Sequence, residues 1–245
     1  MRLKAYSALT HQGPYLQLNE DGYDFDFEND LYMVLDGFGG SGRGDRCVEK
    51  LKNEIKTFYT QISHDPNATM PLFYNPKNLL EANAILNSML NAHQNLFKEN
   101  SAKAFNHRAG ASAMVGVRAD TILILASVGN CSAFHFRQGR MTKVMVEDTF
   151  ASLARDTSNL KFQNFPMSGF GLYPDLGFQL REIRLNEGDR VLFLTDGVST
   201  LVSEEEIFYQ LNKSAPDGKE RLNSLLKLSN ARGNLDNQTG MLLEF

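Results

Sequence analysis

The run Leu31-Tyr-Met-Val-Leu-Asp-Gly37 joins a short apolar stretch to an Asp-Gly pair, and Val191-Leu-Phe-Leu-Thr-Asp-Gly197 repeats that arrangement later in the chain. A third acid, Asp236, precedes the apolar residues 241–245. A β-type run that ends in Asp-Gly predicts a strand that stops and turns, leaving its carboxylate at the rim of a sheet. If these strands lie side by side, the three acids converge. Oxygen clusters of this kind suit hard divalent cations such as Mg²⁺ or Mn²⁺.

Composition places the chain among ordinary globular proteins. Of its 245 residues 42% are apolar and 22% charged, and the formal net charge is −4. That charge argues against nucleic acid or an anionic membrane as a partner. Residues 121–128, the longest apolar stretch near the middle, fall short of the ~20 residues that cross a bilayer. The N-terminus does not resemble a signal peptide, and Cys47 and Cys131 form neither a disulfide framework nor a metal-ligand spacing. We therefore expect a cytoplasmic protein.

No repeat, linker or low-complexity tract divides the chain, so residues 1–245 are interpreted as a single domain. Apolar periodicity predicts helices over residues 45–61, 79–99 and 221–231, and Ser203 with Glu206 predicts a capping box that opens another helix. Hydrophobic patterning predicts strands at residues 3–9, 23–27, 31–35, 111–118, 121–128, 132–137, 141–146, 179–185, 190–195 and 241–245. Paired helices and hairpin-like strands predict an α+β fold with two sheets covered by helices.

Three connections carry further expectations. Residues 132–137 and 141–146 are expected to form a hairpin, and residues 179–185 are expected to pair with 190–195. Residues 148–177 have weak periodicity and are interpreted as irregular, with one short helix at most.

Six segments occur in the order seen in metal-dependent protein phosphatases of the 2C (PPM) family, which the chain resembles from about residue 6 to residue 245. They are Asn19-Glu-Asp21, Asp36-Gly-Phe-Gly-Gly-Ser-Gly-Arg-Gly44, Gly110-Ala-Ser-Ala113, Val128-Gly-Asn-Cys-Ser-Ala-Phe134, Gly188-Asp-Arg-Val-Leu-Phe-Leu-Thr-Asp-Gly197 and Asp236-Asn-Gln-Thr239. Each motif alone is weak, but six in order at the spacing of compact bacterial members are specific. The resemblance implies a β-sandwich of two antiparallel sheets flanked by helix pairs, in α-β-β-α layers.

The resemblance also implies a site for two Mn²⁺ or Mg²⁺ ions at one edge of the sandwich. Asp36 matches the carboxylate that bridges both ions, and Gly37 offers its backbone carbonyl to one of them. Asp196 and Asp236 match ligands of the other ion. The implied residues that act through water are Glu20 and Asp21, so the expected catalytic set is Glu20, Asp36, Asp196 and Asp236.

The implied reaction is hydrolysis of phosphoserine or phosphothreonine by a hydroxide that bridges the two metals, without a protein nucleophile. The implied partner is a phosphorylated protein, in opposition to a serine/threonine kinase. Neither nucleic acid nor membrane is expected as a partner. The absence of coiled-coil heptads favours a monomer.

The chain departs from the family pattern at two positions. Asn130 stands where many bacterial members carry an acid that helps to hold a third, weaker metal, so we expect that third site to be weak or absent. Leu16 stands where an arginine often grips the substrate phosphate, and Arg43 is the candidate to replace it. Residues 149–177 match the family's variable flap.

Two other functions stay open. The changes at Leu16 and Asn130 also fit a phosphatase-like regulatory module that binds metal or phosphoprotein without turnover. Hydrolysis of a small phosphorylated metabolite is the third hypothesis. The five histidines share no ligand spacing and are interpreted as surface or hydrogen-bonded residues, and Cys131 as a small buried apolar residue.

Overall fold

Two five-stranded antiparallel sheets form the centre of the computed structural model, which describes residues 2–39, 43–63, 65, 69–149, 166–213 and 217–245. The first sheet has the order β1-β10-β9-β6-β7, with β1 (Ala5–His11), β10 (Gln238–Glu244), β9 (Arg190–Leu194), β6 (Ser132–Arg137) and β7 (Arg140–Met145). The second has the order β2-β3-β4-β5-β8, with β2 (Asp21–Asp26), β3 (Leu31–Phe38), β4 (Gly110–Ala119), β5 (Ile122–Val128) and β8 (Gln179–Arg184).

Helices cover the outer face of each sheet. The second sheet lies under α1 (Gly44–Ser63) and α2 (Leu80–Ser101), which pack against each other. The first sheet lies under the short α3 (Asp196–Ser199), α4 (Glu204–Asn212) and α5 (Gly218–Ala231). A 3₁₀ turn, Phe105–His107, follows α2. No helix in the described ranges is long and apolar enough to cross a membrane.

Three apolar layers hold these elements together. One lies between α1, α2 and the second sheet, one between the two sheets, and one between the first sheet and α3 to α5. Central strands such as β4, β9 and β10 bury nearly every side chain because both of their faces are covered. The layer order is therefore α-β-β-α, and the predicted fold class is confirmed.

Local sequence signals fix several of the boundaries. The predicted hairpin joins β6 to β7 through Gln138 and Gly139, whose φ values of 48° and 73° fit a tight turn between antiparallel strands. The predicted capping box opens α4: the Ser203 hydroxyl accepts from the N–H of Glu206, whose carboxylate accepts from the N–H of Ser203.

The prediction that residues 179–185 pair with residues 190–195 is wrong. Strand β8 pairs with β5 at the edge of the second sheet, whereas β9 lies between β10 and β6 in the first. The residues between them cross from one sheet to the other instead of turning back. Asp189 fixes this crossing, since its buried carboxylate accepts from the N–H of Asn186 at 2.8 Å.

The sequence predicted a turn at Asp36-Gly37, and this prediction is wrong. Strand β3 continues through the pair to Phe38. The strand is extended by pairing of Gly37 with Ala111 and of Phe38 with Gly110 on β4. One short helix was allowed within residues 148–177, and residues 150–165 of that segment lie outside the described residues.

Candidate metal centre

Four aspartates from distant parts of the chain meet at one rim of the sandwich. Asp36 lies near the end of β3, and Asp21 is the first residue of β2 and its direct cross-strand neighbour. Asp196 begins α3 after β9 and the single residue Thr195, and Asp236 stands two residues before β10. Both sheets therefore contribute carboxylates, and Asp236 lies close enough to Asp36 and Asp196 for its charge to raise the pKa of both.

Three of these acids are nearly removed from solvent. Asp21, Asp36 and Asp196 are 9%, 8% and 9% exposed, whereas Asp236 is exposed at the mouth of the site. Burial, together with the charges of Asp196 and Asp236, raises the pKa of Asp21 to about 8, although the hydrogen bond from Thr195 acts to lower it. Burial and neighbouring carboxylates also raise the pKa of Asp36 and Asp196 well above the usual value. Partial burial raises the pKa of Asp236 as well.

No cationic side chain balances this cluster within the described parts of the chain. None of the four acids belongs to an ion pair there; the ion pairs lie elsewhere, as for Asp30 with Arg118. Like charges directly opposite each other on neighbouring strands are destabilising, as Asp21 and Asp36 are here. A buried, oxygen-only donor set without a counter-charge is chemically suited to Mg²⁺ or Mn²⁺. The residues therefore fit the ions that the resemblance implies.

The carboxylates are gathered but are engaged in separate hydrogen bonds. Asp21 accepts from the Thr195 hydroxyl at 2.9 Å, and Asp196 accepts from the Asn130 amide at 2.7 Å. Asp236 accepts from the N–H of Asn237 at 2.8 Å. Among the described residues, no three His, Cys, Asp or Glu side chains are arranged to hold one ion. Binding of ions would therefore require carboxylates to exchange these bonds for metal contacts.

Glu20 and Gly37 join the site to the start of α1. The Glu20 carboxylate accepts from the N–H of Gly44 at 3.0 Å, and its backbone oxygen accepts from the N–H of Gly37 at 3.1 Å. An added Cβ on Gly37 would lie 2.4 Å from the Glu20 carbonyl oxygen and 2.7 Å from that of Gly44. Only glycine allows this approach. The roles predicted for Glu20 as a holder of water and for the Gly37 carbonyl as a ligand stay predictions.

Two polar residues that sequence reasoning missed hold the acids in place. Thr195 donates its hydroxyl to Asp21 and accepts from the N–H of Thr239, so it links β9, β2 and β10. Asn237 accepts from the N–H of Glu20 at 2.8 Å and donates to the carbonyls of Gln12 and Leu18. Each stands beside a predicted acid in sequence, which is the signal that could have identified it.

The positions that depart from the family pattern differ in their surroundings. Leu16 is exposed on the loop before β2. Arg43 is also exposed, and its guanidinium donates to the carbonyl of His107 at 3.1 Å. Asn130 is buried inside the acidic cluster.

The histidines and cysteines that the structure describes have surroundings of their own. His93 is buried on α2, where its Nδ1 accepts from the N–H of Gly171 at 3.2 Å. His135 lies 3.0 Å from the Asp189 carboxylate. Cys47 and Cys131 are free and buried, as predicted for Cys131, and burial raises the pKa of both thiols. His64 lies outside the described residues.

Solved structures of other proteins, among them serine/threonine phosphatases, share this fold. PppA, a regulatory component of the T6SS in Pseudomonas aeruginosa, is 18% identical with a TM-score of 0.81, over 99% of this chain and 98% of that chain. The PPM Ser-Thr phosphatase MsPP of Mycobacterium smegmatis, solved with cacodylate, is 18% identical with a TM-score of 0.79, over 100% of both chains. The catalytic domain of the phosphatase PstP, solved with two manganese ions, is 20% identical with a TM-score of 0.76, over 98% of this chain and 97% of that chain.

No protein-family model and no curated protein matches the sequence. At such identities the structural likeness establishes the fold. The chain therefore has the fold of the bacterial PPM serine/threonine phosphatases, along its whole described length.

Proposed function

We propose that the chain is a Mn²⁺- or Mg²⁺-dependent protein serine/threonine phosphatase. The observation that carries this proposal is the convergence of Asp21, Asp36, Asp196 and Asp236 at one rim of a PPM-type sandwich without a described counter-charge. The two manganese ions in the structure of PstP support two ions as the cofactor. A single catalytic domain formed by residues 1–245 is part of the proposal.

Each residue has a role that its position allows. Asp36 would bridge the ions, Asp196 and Asp236 would hold one of them, and the Gly37 carbonyl would hold the other. Glu20 and Asp21 would act through water. When bound, two such ions activate water for attack on phosphorus and neutralise the charge of the phosphoryl oxygens. The limited solvent around Asp36 strengthens these electrostatic effects.

The proposed substrate is a phosphoserine or phosphothreonine protein modified by an opposing serine/threonine kinase. This assignment is supported by the fold shared with MsPP and PstP, both described as serine/threonine phosphatases. Action as a monomer in the cytoplasm completes the proposal, and the two free, buried cysteines agree with a reducing compartment.

Phosphate release from a phosphothreonine peptide, with Mn²⁺ or with a chelator, tests the proposal. Turnover should require the metal and should disappear in the double variant Asp36→Asn, Asp196→Asn. Asp120→Asn is the matched control, because this residue stands at φ 51° in the β4–β5 turn, a conformation that asparagine accepts. Activity that survives the chelator or the double substitution would overturn the proposal. Sugar phosphates in the same assay should be poorer substrates than phosphopeptides.

A regulatory module that binds without turnover is the second candidate. It is favoured by Leu16, which offers no charge for a phosphate, and by Asn130, which adds an amide to the acidic cluster. Calorimetry separates the two functions. Tight binding of Mn²⁺ or of a phosphopeptide, with no measurable phosphate release, would select the module.

A further inference from the structure

Asn130 lies at the centre of the acidic cluster on a turn that is fixed from two sides. The turn joins β5 to β6, and Asn130 is 4% exposed. Its N–H donates to the Ser112 hydroxyl at 3.3 Å, while the N–H of Gly129 donates to the Ser168 hydroxyl at 3.1 Å. Gly129 has φ 82°, and a Cβ there would lie 2.2 Å from the Ser112 oxygen. The backbone therefore leaves the Asn130 side chain little freedom of position.

The Asn130 amide group contacts one of the proposed metal ligands directly. Its Nδ2 donates to Asp196 Oδ2 at 2.7 Å, so the NH₂ end of the amide faces that carboxyl group. Asp36 and Asp196 act on each other electrostatically, so the amide holds one member of a pair of neighbouring acids.

The other end of the amide carries a second, independent signal. Asn130 Oδ1 is buried and has no hydrogen-bond partner among the described residues. Buried polar atoms in folded proteins are almost always paired, so an orphaned oxygen marks a place for a water or a cation. The amide therefore donates to Asp196 at one end and leaves an acceptor for a ligand at the other.

We propose that Asn130 is a positioning residue that clamps the Asp196 carboxyl group in place and so sets the affinity of the site for divalent cations. This inference rests on the proposed function, because it concerns the same metal centre. The hydrogen bond fixes the orientation of Asp196 without adding a charge to the cluster, which an acid at this position would do. Hydrogen-bond partners of metal ligands typically change metal affinity by about 10–100-fold when they are removed.

Asn130→Leu tests the clamp, because leucine fills a similar volume and donates nothing. Mn²⁺ binding is measured by equilibrium dialysis with metal analysis, which needs no turnover. We expect the dissociation constant to rise about 10–100-fold. The matched control is Asn87→Leu on α2, an equally buried amide whose hydrogen bonds go to Met70, Leu72, Phe73 and Asn83. It should lower stability and leave Mn²⁺ affinity unchanged.

Two further variants keep the test decisive. Asn130→Ser retains one donor and should give an intermediate affinity, and it replaces the leucine variant if that protein does not fold. Asn130→Asp should lower the thermal stability of the metal-free protein more than Asn130→Leu does, because it adds a fifth carboxylate to the cluster. A leucine or serine variant that binds Mn²⁺ within about twofold of the wild type, against the 10–100-fold expected, would overturn the clamp.

The outcomes also separate the clamp from the proposed function. If the wild type binds Mn²⁺ but releases no phosphate, the proposed phosphatase activity is refuted, and the same dialysis measurements still decide whether Asn130 acts as a clamp. A wild type that binds no Mn²⁺ would overturn both.

Discussion

Asp21→Asn should make the metal-free protein more stable, and the gain should grow with pH. Asp21 is buried opposite Asp36, and its pKa in the folded chain is about 8 against a usual value of 3.8. The folded state thus holds a proton that the unfolded chain releases, so stability falls as pH rises between these two values. Asparagine carries no charge and keeps an oxygen that can accept from Thr195.

The size of the effect follows from the pKa of Asp21. Each pH unit between 3.8 and about 8 costs the folded state up to about 1.4 kcal/mol, so the wild type should lose up to about 3 kcal/mol relative to Asp21→Asn between about pH 5 and about pH 7. In excess Mn²⁺ the difference between the two proteins should close, because bound cations offset the repulsion among the acids.

Urea unfolding in the presence of a chelator measures this difference. The chain has no tryptophan, so far-ultraviolet circular dichroism is the suitable probe. Asp120→Asn in the β4–β5 turn controls for the loss of one negative charge. A stability difference between wild type and Asp21→Asn that is the same at both pH values, or an asparagine variant less stable at both, would refute the reasoning.

Four further substitutions test other parts of the structure. Gly37→Ala should lower the free energy of unfolding by about 2 kcal/mol or more, since its Cβ would meet backbone oxygen at 2.4 Å. In Gly139→Ala the added Cβ meets nothing within 4 Å, and at φ 73° this variant should lose only about 1 kcal/mol. A lower urea midpoint for Gly139→Ala than for Gly37→Ala would contradict the close packing at Gly37. Asp189→Asn should cost about 2 kcal/mol at neutral pH, because it removes the charged acceptor of a pair between the buried Asp189 carboxylate and the partly exposed Arg137. Burial opposes ionisation of Asp189, but its hydrogen bonds hold the pKa below the usual value. The loss of stability in Asp189→Asn should therefore shrink as pH falls below about 4. An equal loss at acid pH would show that the charge of Asp189 is not what stabilises the fold. Burial lowers the pKa of His93, so the wild type should lose stability as pH falls below about 6.5. His93→Phe should lack that part of the pH dependence. If the melting temperatures of the two proteins fall equally with decreasing pH, His93 is not its source.

The long helices and most strands could be predicted because their signals are local. The helix predicted over residues 79–99 is observed as α2 (Leu80–Ser101), and the Ser203 capping box opens α4. Residues 31–35 fall inside β3, and residues 190–195 cover β9. In each case the hydrophobic period and the flanking residues suffice, without knowledge of the rest of the chain.

The pairing of strands was not predictable in the same way. Four residues separate 179–185 from 190–195, a spacing that also fits a hairpin. The sheet that each strand joins is decided by β5 for the first and by β6 and β10 for the second, and these partners are distant in sequence. The same holds for Asp36 and Gly37, which stay in β3 because β4 continues to pair with them.

The acids of the candidate site were predictable, but the hydrogen bonds that hold them were not. Aspartate after an apolar run is a visible pattern, and Asp36 and Asp196 carry it. Thr195 and Asn237 stand beside predicted acids and Asn130 departs from the family pattern, but only the tertiary structure places their hydrogen bonds on Asp21, Glu20 and Asp196. The raised pKa values likewise depend on burial, which no local pattern reports.

Anomalous diffraction from crystals soaked in Mn²⁺ tests the central claim most directly. We expect two manganese peaks about 3.5–4 Å apart at the rim where β3 and β9 end, with Asp36 between them and with Asp196 and Asp236 on one ion. Crystals that diffract well but show no manganese at this rim, or show it bound to other residues, would contradict the assignment of these aspartates.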